Sequence, residues 1–365
     1  MRINLILPVA SMAGGIRVIA IYAKWLHDNG HDVLMVSQPW SPMSFREKLR
    51  CIMTGRGWPK GKVWASHLDD LQVPHKILET CRPVMDADLP DADVVVATWW
   101  ETAEWVHALS ASKGKKVYFI QHYEVHDHLP VERTQATYRL PLKKIVIAQW
   151  LKKIMQDEFN DPDVKIVPNA VDHRIFFAPE RDKQPVPTIG FLNSPAHFKG
   201  VAATLDAIRM IRQRLPSLRI LSFGTCEAGG YEHWDDHIEY VQLPSQDQIR
   251  QIYGMCDIWL TASVTEGFNL PAMEAMACRT PVVSTRAGWP EEAIENGLNG
   301  YLVEVGDSVA LAERALQILA FSNEEWRRMS SNAWNTVRDS SWETSSGMFL
   351  RALRDACEHE PSTNH

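Results

Sequence analysis

One pattern constrains this chain more than any other, and it occurs twice. Short, nearly all-apolar runs alternate with helix-length amphipathic stretches. In the first half the spacing predicts strands at 3–8, 33–37, 94–98, 117–121 and 145–148, and helices at 15–29, 101–112 and 149–159. In the second half it predicts strands at 188–192, 219–223, 258–262 and 281–284. Helices follow at 200–214, 246–255, 271–278, 309–321 and 323–337. Strands that are apolar at nearly every position are buried on both faces, and strand–helix alternation achieves this with a parallel sheet covered by helices. Between the halves, Pro162, Pro168, Pro179, Pro185 and Pro187 crowd a stretch that fits no amphipathic helix, which reads as an interdomain linker. The expectation is an α/β protein of two doubly wound domains facing a central cleft. The domains are 1–165 and 166–340. The segment 341–365 is read as one more helix, with the option of crossing back to the first domain, and a disordered tail.

Bulk properties exclude other classes. The 365 residues carry a formal charge of −7, against the basic face that general nucleic-acid binding needs. No apolar run reaches the ~18 residues of a membrane span, and the apolar start is short enough to read as a first strand rather than a signal peptide. The cysteines Cys51, Cys81, Cys226, Cys256, Cys278 and Cys357 are scattered, with no CxxC pair. They fit reduced thiols in the cytoplasm and give no support for zinc. Tryptophan, at 14 residues, is in excess. Most of it is expected in the cores, with some at ligand surfaces.

The most informative stretch is Thr265-Glu266-Gly267-Phe268-Asn269-Leu270-Pro271-Ala272-Met273-Glu274. It follows an expected strand, and Pro271 suits the first turn of a helix. Residues 267–270 then form a loop over a helix N-terminus, where unpaired N–H groups and the helix dipole favour an anion. Carboxylates beside a phosphate would repel it, so Glu266 and Glu274 are better placed to accept hydrogen bonds from hydroxyls. A phosphate-bearing ligand with hydroxyls at both ends is a nucleotide sugar.

These residues resemble a known family, the retaining GT-B glycosyltransferases of glycosyltransferase family 4. Its Glu-x7-Glu motif matches Glu266 and Glu274. The run from Glu274 to Val283, then Gly288-Trp289-Pro290-Glu291, Asn296 to Gly300, and Gly306-Asp307 continue the likeness. Upstream, Val167-Pro168-Asn169-Ala170-Val171-Asp172 is similar to the family's domain-junction signature. The likeness is dense over 165–307, weaker over 1–40 and thin over 41–115. It implies a GT-B fold of two Rossmann-like domains, the first binding the acceptor and the second the nucleotide sugar.

The resemblance also implies roles. Glu274 would hold the donor ribose and Glu266 the hydroxyls of the transferred sugar. Phe268, Asn269 and Leu270 would offer N–H groups to sugar and diphosphate. Lys199 matches the lysine of a phosphate clamp. The clamp's arginine is missing, because Gly190 is followed by Phe191, and His197 and Arg174 are the candidate substitutes. His122 matches a loop histidine near the donor sugar and leaving phosphate. Gly14 and Gly15 would lie near the diphosphate. Gly224, Thr225, Val241 and Leu243 would line the base pocket. Trp99, Trp100 and Trp105 form a candidate acceptor platform, core packing being the alternative. Arg17 is read either as a phosphate or acceptor contact or as a plain surface arginine. His126, Asp127 and His128 lack zinc spacing, and no metal or other cofactor is expected. The basic amphipathic stretch 45–63 is read as a peripheral contact with an anionic membrane or acceptor, against a plain solvated face.

The implied reaction is retaining, metal-independent transfer of a sugar from a nucleotide-diphosphate sugar to a hydroxyl acceptor, in polysaccharide, glycolipid or glycoside synthesis. The acceptor is a saccharide, a lipid-linked group or a small molecule. The alternatives are a non-catalytic sugar-nucleotide-binding subunit and a GT-B epimerase or phosphorylase.

Overall fold

The structure is a computed structural model. It describes residues 1–40, 53, 65–125 and 129–358, and the element labels below cover those residues. The basic stretch at 45–63, except Met53, the triplet His126-Asp127-His128 and the tail after Glu358 lie outside them. The chain divides into two compact units. The first comprises Met1–Ile147, Leu151–Val167 and Ser346–His365, and the second Ala148–Trp150 and Pro168–Ser345.

Unit 1 is built on a seven-stranded sheet in the order β3-β2-β1-β4-β5-β6-β7. Its strands are β1 (Arg2–Val9), β2 (Asp32–Gln38), β3 (His75–Ile77), β4 (Val94–Ala97), β5 (Lys115–Ile120), β6 (Lys143–Val146) and β7 (Lys165–Ile166). Every pairing is parallel. The central strand β4 is apolar throughout, as burial on both faces requires, and its Val94, Val95, Val96 and Ala97 are fully buried. The helices are α1 (Gly14–Asp28), α2 (Trp100–Ala108), α3 (Val131–Thr137) and α4 (Gln149–Phe159).

Unit 2 has a six-stranded sheet in the order β10-β9-β8-β11-β12-β13, again parallel throughout. The strands are β8 (Thr188–Asn193), β9 (Arg219–Gly224), β10 (Glu239–Gln242), β11 (Ile258–Thr261), β12 (Val282–Thr285) and β13 (Gly300–Val303). Its helices are α5 (Val201–Arg214), α6 (Gln246–Met255), α7 (Leu270–Ala277), α8 (Trp289–Ala293), α9 (Ser308–Leu319) and α10 (Asn323–Val337). The core gathers Leu205 and Ile208 of α5, Leu311 and Ile318 of α9, and Trp326 of α10 against Ile189, Leu260 and Val283 of the sheet. A last helix, α11 (Trp342–Glu358), begins in unit 2 and continues as part of unit 1.

Two helices have the bounds that their sequence punctuation dictates. Ser245 caps α6 by accepting the Gln248 N–H, while the Gln248 side chain accepts the Ser245 N–H. Ser322 and Glu325 form the same reciprocal box at α10.

The boundary between the units, at Val167 and Pro168, falls inside the proline-rich stretch, and the stretch beyond it packs on unit 2. Asn169, Ala170, Val171 and Phe176 are buried. Asp257, fully buried ahead of β11, accepts the N–H groups of Gln184 (2.7 Å) and Thr188 (2.8 Å). The Arg181 guanidinium donates to the Cys256 carbonyl and lies 4.4 Å from the Trp326 ring centroid. Extended chain with few helical hydrogen bonds is held here by side chains of unit 2 instead of crossing solvent.

Candidate functional site

Sheet order directs attention to one place in unit 2. Strand β8 lies between β9 and β11, so the chain winds away from it in both directions. In open parallel sheets, ligands bind at the carboxyl ends of the strands at such a switch point. Here the loop after β8 carries Lys199 and the loop after β11 carries Glu266.

The two side chains meet. The Lys199 ammonium donates to both Glu266 oxygens, at 2.7 and 2.8 Å. The Ser263 hydroxyl donates to Glu266 Oε1 at 2.7 Å. Glu266 is buried while Lys199 keeps some exposure. A chain of polar contacts continues behind them. Ser263 and Thr261 hydroxyls lie 3.3 Å apart, and Asn269 Nδ2 donates to Thr261 Oγ1 at 3.1 Å. Thr285 Oγ1 donates to the Ser263 carbonyl at 2.6 Å. Lys199, Thr261, Ser263, Glu266 and Asn269 line, with Leu192, Trp259 and Pro271, a cavity of about 10 Å³, room for at most one water. Lys199 is the cation among its lining residues.

Two glycines make this approach sterically feasible. Gly200 has φ +62°, and a Cβ there would stand 1.9 Å from the Ala262 carbonyl oxygen. Gly288 has φ +71°, and a Cβ would stand 2.7 Å from Glu266 Cβ. Left-handed backbone with no room for a side chain is available only to glycine.

The loop before α7 ends as the helix-terminus argument requires. Asn269 is the N-cap residue, in left-handed conformation at φ 77°, and its side chain is tied to Thr261 rather than to the helix. Leu270, expected in the loop, is instead the first residue of the helix, with Pro271 beside it in the first turn. The opening N–H groups of a helix have no intrahelical acceptor and favour an anion. Phe268 is buried and stacks on Trp289, ring centroids 5.5 Å apart. Glu274, in the second turn of α7, is buried and accepts a hydrogen bond from the Tyr253 hydroxyl at 3.1 Å. It does not line the Lys199–Glu266 cavity.

The expected base-pocket residues sit at the ends of β9 and β10. Leu243, exposed and at φ 49°, donates its N–H to the Gly224 carbonyl at 2.8 Å. Val241 is half-buried on β10, and Thr225 is exposed. A Cβ at Gly224 would stand 2.2 Å from the Asn193 carbonyl oxygen, so β8 and β9 close tightly at this end.

The missing clamp cation finds no replacement in Arg174, whose guanidinium pairs with Asp172 at 2.8 Å. His197 is exposed on the turn that ends in Lys199. Phe191 is buried in the core of unit 2, as the strand interior demands. Asn193 at the end of β8 was not singled out by sequence reasoning. It is buried, with its amide N–H groups directed at Cys226 Sγ and the Glu227 carbonyl.

In unit 1 the expected residues also gather where strands end. Gly14 and Gly15 do not follow β1 directly. Residues 10–13 intervene, and the two glycines open α1. Only Gly15 is closely approached, by the Gln121 side chain, which donates to its carbonyl at 3.2 Å. Arg17 is half-buried in the first turn of α1. Next to Gln121, His122 has Nδ1 2.9 Å from the Tyr123 carbonyl oxygen. The three-tryptophan platform contracts to one residue. Trp100 and Trp105 are buried as the apolar face of α2, and only Trp99 keeps partial exposure. Core packing therefore accounts for two of the three. Among the described residues no group of three or more His, Cys, Asp or Glu side chains is placed to hold a metal. Nor is any described helix long and apolar enough to cross a membrane.

Known proteins resemble this chain in part of its sequence and in its fold. Residues 186–320 match the family model for glycosyl transferases group 1. The N-acetyl-alpha-D-glucosaminyl L-malate synthase of Bacillus anthracis is 38% identical over 105 residues, 29% of this chain and 27% of that protein. The D-inositol 3-phosphate glycosyltransferase of Corynebacterium glutamicum is 27% identical over 244 residues, 59% of this chain and 58% of that protein. The chain thus spans between about a quarter and about three-fifths of these relatives' lengths. Anabaena HepE, solved with UDP and glucose, superposes with a TM-score of 0.75 at 16% identity, over 97% of this chain and all of that one. The fold is that of the GT-B glycosyltransferases. The family-model match covers less than half of the chain, and over residues 186–320 the chain is similar to glycosyl transferases group 1.

Proposed function

We propose that the protein is a retaining glycosyltransferase that needs no bound metal. It would move a sugar from a nucleotide-diphosphate sugar to a hydroxyl acceptor, in polysaccharide, glycolipid or glycoside synthesis. The observation that carries this reading is the meeting of Lys199 and Glu266 at the switch point of unit 2, beside the N-terminus of α7. A cation and helix N–H groups suit a diphosphate, and a buried carboxylate suits sugar hydroxyls.

The hard step is breaking the bond between the anomeric carbon and the phosphate oxygen. Positive charge develops on the sugar ring and negative charge on the diphosphate. Lys199 and the N–H groups at the start of α7 would stabilise the second of these. Attack by the acceptor from the face of the leaving group retains the anomeric configuration, and the departing phosphate oxygen takes the acceptor's proton. No protein nucleophile is required. Glu274 would hold the ribose, and Gly224, Val241 and Leu243 the base. Unit 2 would then be the donor unit and unit 1 the acceptor unit. The roles of His122, Gly14, Gly15, Arg17 and Trp99 rest on family resemblance. Peripheral contact with an anionic membrane through 45–63 rests on the sequence alone.

A second reading, a sugar-nucleotide-binding subunit without activity, has one observation in its favour: Phe191 fills the expected position of the second clamp cation from inside the core. Incubation with UDP-, GDP-, ADP- and dTDP-sugars and a panel of hydroxyl acceptors separates the two. NMR of the product should show an unchanged anomeric configuration. An inverted product overturns retention, and tight binding without transfer or hydrolysis favours the subunit.

A further inference from the structure

We infer that the Lys199–Glu266 ion pair makes this site selective for a nucleoside diphosphate that still carries its sugar, over the bare nucleoside diphosphate. The inference deepens the donor-site reading above and rests on it.

Lys199 directs two of its three N–H donors at the two Glu266 oxygens. Glu266 is 5% exposed, and its other hydrogen bond comes from Ser263. The cavity beside them has room for at most one water. A bare diphosphate drawn to Lys199 therefore meets a cation already neutralised by a buried carboxylate. If Lys199 turns to the phosphate, Glu266 is left buried with the Ser263 hydroxyl alone, which is the costly way to break a buried pair. If Lys199 stays, carboxylate and phosphate share one cation and repel.

A ligand with sugar attached avoids both costs. Its hydroxyls donate to Glu266 as its phosphate takes Lys199, so both halves of the pair are re-partnered in one event. The penalty is borne only by the ligand lacking the sugar, which is discrimination by a built-in repulsion. It also favours turnover. Once the sugar has left, Glu266 reclaims Lys199 and expels the diphosphate product.

Calorimetric titration tests this with UDP, GDP, ADP and dTDP, each against its glucose derivative, on the full chain. For the base that binds, the wild type should prefer the sugar-bearing ligand. Glu266→Gln should bind the bare diphosphate at least as tightly as the wild type and shrink the preference by about tenfold or more. Glu274→Gln should weaken both ligands by a similar factor. Ser263→Ala, which leaves Glu266 poorer when abandoned, should widen the preference, and it serves if Glu266→Gln does not fold. An unchanged preference in Glu266→Gln or Ser263→Ala overturns the coupling while leaving donor binding intact. Failure of the wild type to bind any of the ligands overturns the donor-site reading and the coupling with it.

Discussion

Glu124 follows β5 in unit 1 and is buried, with no cation beside it among the described residues. Its carboxylate accepts the Trp100 N–H at 2.9 Å and faces the Tyr118 hydroxyl at 3.4 Å. Burial, the largest effect, holds its pKa well above the ordinary glutamate value. An acid with a raised folded-state pKa contributes stability that is fully present below its unfolded pKa and is lost as pH rises through the folded one. Glu124→Gln keeps an acceptor for Trp100 and removes the titration. Its stability advantage over the wild type should grow between about pH 5 and about pH 8. Urea midpoints of both proteins at the two pH values check this, and a constant difference contradicts it. Side chains of this kind are poorly legible in sequence. Lys199, Glu266 and Glu274 were legible because they sit in an ordered set of motifs. Ser263 and Thr261 were not, because their value lies in which carboxylate and which cap they touch. That Arg174, a candidate substitute for the clamp arginine, folds back on Asp172 two residues away is likewise not visible in the sequence.

Elements were legible where burial wrote an apolar run or a cap wrote a boundary. β8, β9 and β11 are such runs, and α6 and α10 carry capping boxes. β3 and β7 are short edge strands with hardly a buried position, so no apolar run marked them. α3 is polar over most of its length and was missed for a similar reason. β13 is fully buried but only four residues long and opens on Gly300, whose Cβ would stand 2.3 Å from the Val282 carbonyl oxygen. α11 was expected, but its place in unit 1 is a matter of packing. Phe349 is fully buried, stacks on Tyr22 at 4.7 Å between centroids and meets Phe119 edge-on at 5.2 Å. Phe349→Ala should therefore destabilise unit 1 by roughly 3–5 kcal/mol, the usual cost of emptying a buried phenylalanine site. Chemical denaturation followed by unit 1 tryptophan fluorescence reads the change, and a loss below about 1 kcal/mol would show that α11 is not part of that core.

At the scale of the molecule, the sequence's two rounds of strand–helix alternation became two parallel sheets, each wound in both directions from a central strand. Its tryptophan excess is structural only in part, since four of the twelve described tryptophans are buried and Trp40 is exposed. Trp259 and Trp326 are completely buried, and Trp100 and Trp105 nearly so. A larger groove of about 530 Å³ on unit 2 shares no lining residue with the Lys199–Glu266 cavity; of its lining side chains, Arg212 pairs with Asp235, and His233 lies 3.3 Å from Asp206 outside the lining. The proposed function rests its donor chemistry on Lys199 and Glu266. Its most direct test is the initial rate of nucleoside diphosphate release from the preferred nucleotide sugar and acceptor, measured for the wild type, Lys199→Ala and Glu266→Ala. Both variants should fall by about a hundredfold or more, as expected when a charge-stabilising contact is removed from a water-poor site. Turnover that survives both substitutions unchanged would contradict the account.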